Sequence, residues 1–187
     1  MKFILASKSP RRKELLGEII DNFEIITKEV DEGLPNGIHP REGVELLAIR
    51  KGRAVADELD GECVVISSDT LVEIGGTPLG KPTDRADAIA MLHMLSGKAH
   101  NVHTGVAVHY NGKCYSGVAT TAVFFREMTD SEIEDYVDSG DPMDKAGSYG
   151  IQSGGGKFVE RIEGDYDTVV GLSVSLTKKL IDEAIND

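Results

Sequence analysis

Two runs that read as strands, residues 102–108 and 115–125, flank His109-Tyr110-Asn111-Gly112-Lys113. Asn-Gly between such runs is the strongest local signal for a type I′ hairpin, because both residues tolerate the positive φ the turn requires. One long antiparallel hairpin is therefore built into the chain, and the rest of the fold must accommodate it. Around it the pattern alternates. Residues 2–6 read as a buried strand, and Ser9-Pro10 as a helix start, with serine as N-cap and proline in the first turn. Leu15, Leu16, Ile19 and Ile20 continue that helix on one stripe. Residues 40–59 carry apolar side chains at helical period, and 63–66 form a continuous apolar strand running into Ser67-Ser68-Asp69-Thr70. Residues 84–95 read as a third helix closed by Gly97. Thr129-Asp130-Ser131-Glu132 is a capping box opening a helix that ends at Gly140, and 174–185 form an amphipathic last helix. Helices interleaved with strands around an antiparallel hairpin specify an α/β protein on a mixed sheet flanked by helices. No linker, repeat or low-complexity tract interrupts it, so residues 1–187 are expected to form a single domain.

Composition excludes several functions. A chain of 187 residues that is 40% hydrophobic can bury a substantial core. Its net charge of -12 argues against a protein that coats duplex nucleic acid, which needs a basic face to displace counterions. No stretch approaches the roughly 18 apolar residues of a membrane span, and the apolar run before the first charges is too short for a secretory leader. Neither nucleic acid nor membrane is expected as a partner. Cys63 and Cys114 lie far apart, with no CxxC or Cys/His spacing, so neither a disulfide framework nor a zinc site is indicated and a cytoplasmic location is expected. The histidines form no metal constellation. His100 and His103 are three apart in a strand-like stretch and should point to opposite faces.

Against this acidic background Lys8, Arg11, Arg12 and Lys13 cluster behind the first strand. A strand, a serine-rich turn and a helix N-terminus present free N–H groups and a positive dipole end, which together form an anion site. Cations there oppose the dipole by about 0.3–1 kcal/mol each, which asks for a compensating anion. Solvation of an exposed helix end is the alternative. Lys51 falls on the apolar stripe of its helix, so its ammonium either points into the fold or snorkels outward. Asp69 follows buried strand residues, where ligands of α/β sheets collect near strand ends, although an aspartate can also simply cap a turn. Lys81 lies in the turn Gly80-Lys81-Pro82. In residues 140–156, Asp144, Lys145 and Gln152 stand among six glycines, a tract that is either flexible or a close backbone approach to a ligand.

The stretches LASKSPRRKELL, SDTLV, LGKP, LSGKAHNVHTGV, DPMDKAGSYGIQ and FVERIEGDYDTVVGLS resemble, in order and spacing, the Maf family of nucleoside triphosphate pyrophosphatases, from residue 4 to about 177. The resemblance implies a curved mixed sheet in two lobes with a central cleft, similar to inosine triphosphate pyrophosphatases, and a homodimer. It implies hydrolysis of a nucleoside triphosphate to the monophosphate and pyrophosphate with a divalent metal, Mg²⁺ or Mn²⁺. Position by position, it implies Asp69 as general base or orienter of the attacking water, with Glu32 joining Asp69 in holding the metal. Ser7, Arg11, Arg12, Lys51 and Lys81 would line the phosphates. Arg12, Thr70 and Gln152 match the family's selectivity positions for dTTP and UTP, and a carboxamide at Gln152 can meet the N3–H donor and O4 acceptor of thymine or uracil. Ser153 and Ser173 depart from the family's usual glycine and proline. The alternative function is a regulatory nucleotide-binding protein linked to inhibition of cell septation.

Overall fold

The computed structural model describes residues 1–187, which divide into two compact units. The elements in chain order are β1 (Lys2–Leu5), α1 (Pro10–Gly17), β2 (Glu24–Ile25), α2 (Pro40–Ala56), β3 (Cys63–Ile74), β4 (Thr77–Leu79) and α3 (Arg85–Leu95). There follow β5 (Ala99–Tyr110), β6 (Lys113–Phe125), α4 (Asp130–Asp138), β7 (Val159–Glu163), α5 (Tyr166–Val170) and α6 (Val174–Asn186). The strands hydrogen-bond in the order β2-β1-β3-β5-β6-β7, with β4 on β3. β1 is parallel to both β2 and β3, whereas β3–β4 and β6–β7 are antiparallel, so the sheet is mixed as expected.

Unit 1 holds residues 1–70, 104–119 and 171–187, and unit 2 holds 71–103 and 120–170. In unit 1, Ile4, Ala6, Val55 and Val65 form a buried cluster that seats α2 beside β1 and β3. The register pairs Leu5 with Ile66, which brings the chain leaving β1 beside Ser67 and Ser68. In unit 2, Leu92, Leu95, Val102, Phe125, Ile133, Tyr136 and Phe158 join one apolar core between α3, α4 and the strands. No helix is long and apolar enough to cross a membrane.

The local signals explain most boundaries. Asn111 and Gly112 adopt φ of 50° and 75°, the two positive values the hairpin turn needs. Ser9 accepts from the Arg12 N–H, and both bonds of the Thr129–Glu132 capping box form. The Glu132 carboxylate, bonded by Arg126 and the Thr129 N–H, titrates at about 2. Ser173, where the resemblance leads one to expect proline, caps α6 by accepting from the Leu176 N–H at 3.3 Å. The apolar run marks only the first part of its strand: β3 continues through Ser67 to Thr70 and on to Ile74, so Asp69 does not cap a turn. Polar residues do not end a strand that still has a neighbouring strand and whose side chains find partners, as Ser67 does at Ala48 and Asp69 at Lys51.

Candidate active site

The site grows from the alternation of side chains along β3, within unit 1. Successive residues of a strand face opposite sides. Ser67 and Asp69 address α2: the Ser67 hydroxyl donates to the Ala48 carbonyl at 2.7 Å, and the Lys51 ammonium donates to Asp69 Oδ1 at 2.5 Å. Ser68 and Thr70 address the other side, where Arg12 and Gly171 lie. The approach of α2 depends on Gly52, since a Cβ there would stand 2.5 Å from Ser67 Oγ and 2.6 Å from His109 Cδ2. That absence of a side chain lets the neighbouring Lys51 reach the strand.

Lys51 bridges two carboxylates, Asp69 at 2.5 Å and Glu32 Oε1 at 2.8 Å. The Asp69 and Lys51 side chains are mostly buried, at 14% and 20% exposure, while Glu32 reaches in from an exposed loop. The ammonium therefore points into the fold. Three of the residues singled out in the sequence thus meet at one point, with an ammonium that has a third N–H still to place.

Arg12 behaves differently from a free phosphate fork. Its Nε donates to the Gly171 carbonyl at 2.9 Å, Nη1 to the Ser68 carbonyl at 2.7 Å and to Ser7 Oγ at 3.4 Å, and Nη2 to Thr70 Oγ1 at 3.3 Å. These bonds engage four of the five guanidinium N–H groups and tie α1 to β3 and the Gly171 turn. Burial lowers the Arg12 pKa. Asp69 opposes that shift, Arg11 adds to it and Glu32 opposes it, so the charge of Arg12 is felt by both carboxylates. Thr70 Oγ1 also lies 3.0 Å from Thr104 Oγ1. Arg11 is half-buried on the first turn of α1.

Lys81 and Gln152 belong to unit 2, where both are exposed. The glycine-rich tract around Gln152 is neither a loose loop nor, in this structure, a backbone bare for a ligand. Its close approaches are to its own unit: a Cβ on Gly147 would stand 2.7 Å from Val72 Cγ2. Asp141 is its hub. Tyr136 OH and Ser153 Oγ donate to Asp141 Oδ2 at 2.6 and 2.7 Å, and Lys145 bonds Asp141 Oδ1 at 3.1 Å and Asp144 at 2.8 Å. Ser153, unusual for the family pattern, thus fastens the tract beside Gln152. Burial would raise the Asp141 pKa, but the bonds from Tyr136, Ser153 and Lys145 hold it below its ordinary value.

His100 and His103 are both engaged by neighbouring side chains of unit 2. His103 lies 2.8 Å from Thr120 Oγ1 and 3.3 Å from Glu73 Oε2, and His100 lies 2.8 Å from Tyr149 OH. Burial would raise the Glu73 pKa, yet bonds from the Gly76 N–H, Asn101 and His103 leave it lowered. No group of three or more His, Cys, Asp or Glu side chains is arranged to hold a metal. The sequence reading missed Arg50, whose Nη1 donates to the carbonyls of Asp31 at 3.1 Å and Gly33 at 2.6 Å, the two residues flanking Glu32. The signal available for it was the Asp-Glu-Gly triplet, a turn sequence next to a helix rich in cations.

The Maf-like protein family matches residues 2–184. The chain belongs to the Maf family. A protein of Bdellovibrio bacteriovorus named dTTP/UTP pyrophosphatase is 45% identical over 185 residues, covering 95% of this chain and 96% of its own. One of the same name from Vibrio cholerae is 48% identical over 180 residues, covering 96% of each. Among solved structures, a HAM1 protein from Coxiella burnetii superimposes with a TM-score of 0.50 at 13% identity, covering 98% of this chain and 100% of that one. The last likeness shows the fold alone, and it agrees with the expected fold class.

Proposed function

We propose that this protein hydrolyses dTTP and UTP to the nucleoside monophosphate and pyrophosphate, acting as a single-domain cytoplasmic homodimer. The observation that carries the reading is the convergence of Asp69 and Glu32 on one cation, in a Maf-family chain whose relatives bear the name dTTP/UTP pyrophosphatase. Nothing in those relatives' names favours the septation reading.

The donor set fits a divalent metal. Two hard carboxylate oxygens that bracket an ammonium at 2.5 and 2.8 Å suit Mg²⁺ or Mn²⁺, which bind few protein ligands and take substrate phosphates and water for the rest. Glu32 and Asp69 would hold it, and when bound it neutralises phosphate charge and polarises the scissile anhydride. The chain's own groups do the remainder. Asp69 accepts a proton from the attacking water or aims it at the α-phosphorus. Lys51 donates to a phosphate oxygen, and Ser7, Arg11 and Lys81 add donors and positive charge along the triphosphate. Arg12, with its bonds already directed to the protein, contributes charge and holds Thr70 in place. Gln152 and Thr70 read the pyrimidine edge.

The test is product analysis. Pure protein incubated with a nucleotide panel and Mg²⁺ or Mn²⁺ should release pyrophosphate, and no orthophosphate, from dTTP and UTP, with ATP and GTP turned over poorly. Stepwise orthophosphate release, or equal rates on dTTP and GTP, would overturn the reaction or the base preference respectively.

A further inference from the structure

Glu32 sits in a segment, residues 26–39, that contains neither strand nor helix. A carboxylate on such a segment has a defined position only if the backbone beneath it is tied down. Three features of α2 fasten this loop, all within unit 1. Arg50 Nη1 donates to the carbonyls on either side of Glu32, at 3.1 and 2.6 Å. Lys51 pairs with the Glu32 carboxylate itself at 2.8 Å. Leu34 covers Gly43, where a Cβ would meet Leu34 Cδ1 at 2.8 Å. The Gly33 N–H adds a tight turn by donating to Asp31 Oδ1 at 2.8 Å.

The Arg50 and Lys51 anchors differ in one respect that matters for the chemistry. Lys51 binds one oxygen of each carboxylate and carries a positive charge between them, so it competes with a divalent ion entering between Glu32 and Asp69. Arg50 binds backbone carbonyls only, so its bonds do not compete with the metal. We propose that Arg50 is a positioning residue that keeps Glu32 beside Asp69 once Lys51 has turned to the substrate. Lys51 is then the exchangeable partner of Glu32 and Arg50 the permanent one. Arginine suits the task because its guanidinium is charged at every working pH and reaches two acceptors on one turn of chain. The inference rests on the reading of Glu32 and Asp69 as the metal pair.

A double-mutant cycle read by metal binding tests it. Mn²⁺ is titrated calorimetrically into the protein holding a non-hydrolysable dTTP analogue, for the unmodified chain, Arg50→Ala, Arg50→Lys, Glu32→Gln and Arg50→Ala/Glu32→Gln. Arg50→Ala should weaken Mn²⁺ binding by about tenfold, the lower end for loss of a group that orients a ligand. Arg50→Lys, which keeps a cationic donor there, should fall between, and it carries the cycle if the alanine variant does not fold. In the Glu32→Gln background the Arg50 substitution should have no further effect, because Arg50 acts through Glu32. Unchanged Mn²⁺ affinity in Arg50→Ala, or the same loss in both backgrounds, overturns the positioning role. Mn²⁺ binding in Glu32→Gln equal to that of the unmodified chain overturns the metal-pair reading itself, and the inference with it.

Discussion

Arg12 and Arg11 are neighbours in sequence, and their replacement should separate structure from catalysis. Arg12 donates to two backbone carbonyls and two hydroxyls, a fan that a lysine ammonium cannot span. Arg12→Lys should lose about 1–3 kcal/mol through unmet acceptors. In a chain of this size each kcal/mol lowers the melting temperature by roughly 2–4 °C. Arg11→Ala should leave the melt unchanged or raised, since it removes a cation from a helix N-terminus, while lowering kcat/KM. Thermal melts and kinetics on the two variants check both. Asp69→Asn keeps the shape of the side chain and should retain the fold and nucleotide binding while reducing turnover by about 10²-fold or more, the scale of proton-transfer assistance. Near-normal turnover would remove Asp69 from the chemistry. Gln152→Glu replaces a donor–acceptor pair by acceptors alone, so its rate on dTTP should fall far more than its rate on GTP. At this scale residue types were legible and partners were not. An aspartate after an apolar run and a lysine on an apolar stripe could be singled out, but only the geometry joined them, and only the geometry turned Arg12 into a strut.

At the scale of elements, α2 is the piece that assembles the candidate site. It carries Lys51 and Arg50, and Gly52 allows it to lie against β3. Gly52→Ala would normally favour a helix, yet here the new methyl meets Ser67 Oγ and the His109 ring. The expected outcome is a net loss of about 1–3 kcal/mol from overpacking, with kcat falling as Lys51 withdraws from Asp69. A stabilised Gly52→Ala protein with unchanged kcat would show that helix and strand are not held at that spacing. The helix starts and the hairpin were legible because their signals are local: a capping hydroxyl, a proline, two residues that accept positive φ. The length of β3 was not, because whether Ser67 to Thr70 stay in a strand depends on β5 and on side-chain partners in α1 and α2, far off in the chain. The short strands β2, β4 and β7 escaped for the same reason.

For the molecule as a whole, His100 predicts how stability responds to pH. It is buried against Phe125 and Tyr149, and burial pulls its pKa from 6.5 to about 4. The ring is neutral in the folded chain, whereas the unfolded chain takes up a proton below pH 6.5. Stability should therefore be intact above that pH and fall as pH drops towards 4, by about 3 kcal/mol in total. Glu73, held below its ordinary carboxylate range, adds its loss at still lower pH. Urea unfolding at several pH values should show this slope, and His100→Phe should flatten it between pH 6.5 and 4. An equal slope in that variant would assign the effect to other groups.

The order of the main helices and longer strands, the hairpin turn, the helix caps and the residue types of the candidate site were determined by the sequence on its own, because each depends on side chains a few positions apart. Tertiary structure alone decided that β3 runs on to Ile74, that its two faces divide Asp69 from Thr70, and that Lys51 stands between Glu32 and Asp69. It alone showed Arg50 behind Glu32 and Asp141 beneath the Gln152 tract. These contacts join residues whose separation along the chain carries no signal. They exist because burial of a common core brings strand, helix and loop together at distances where one ammonium can serve two carboxylates.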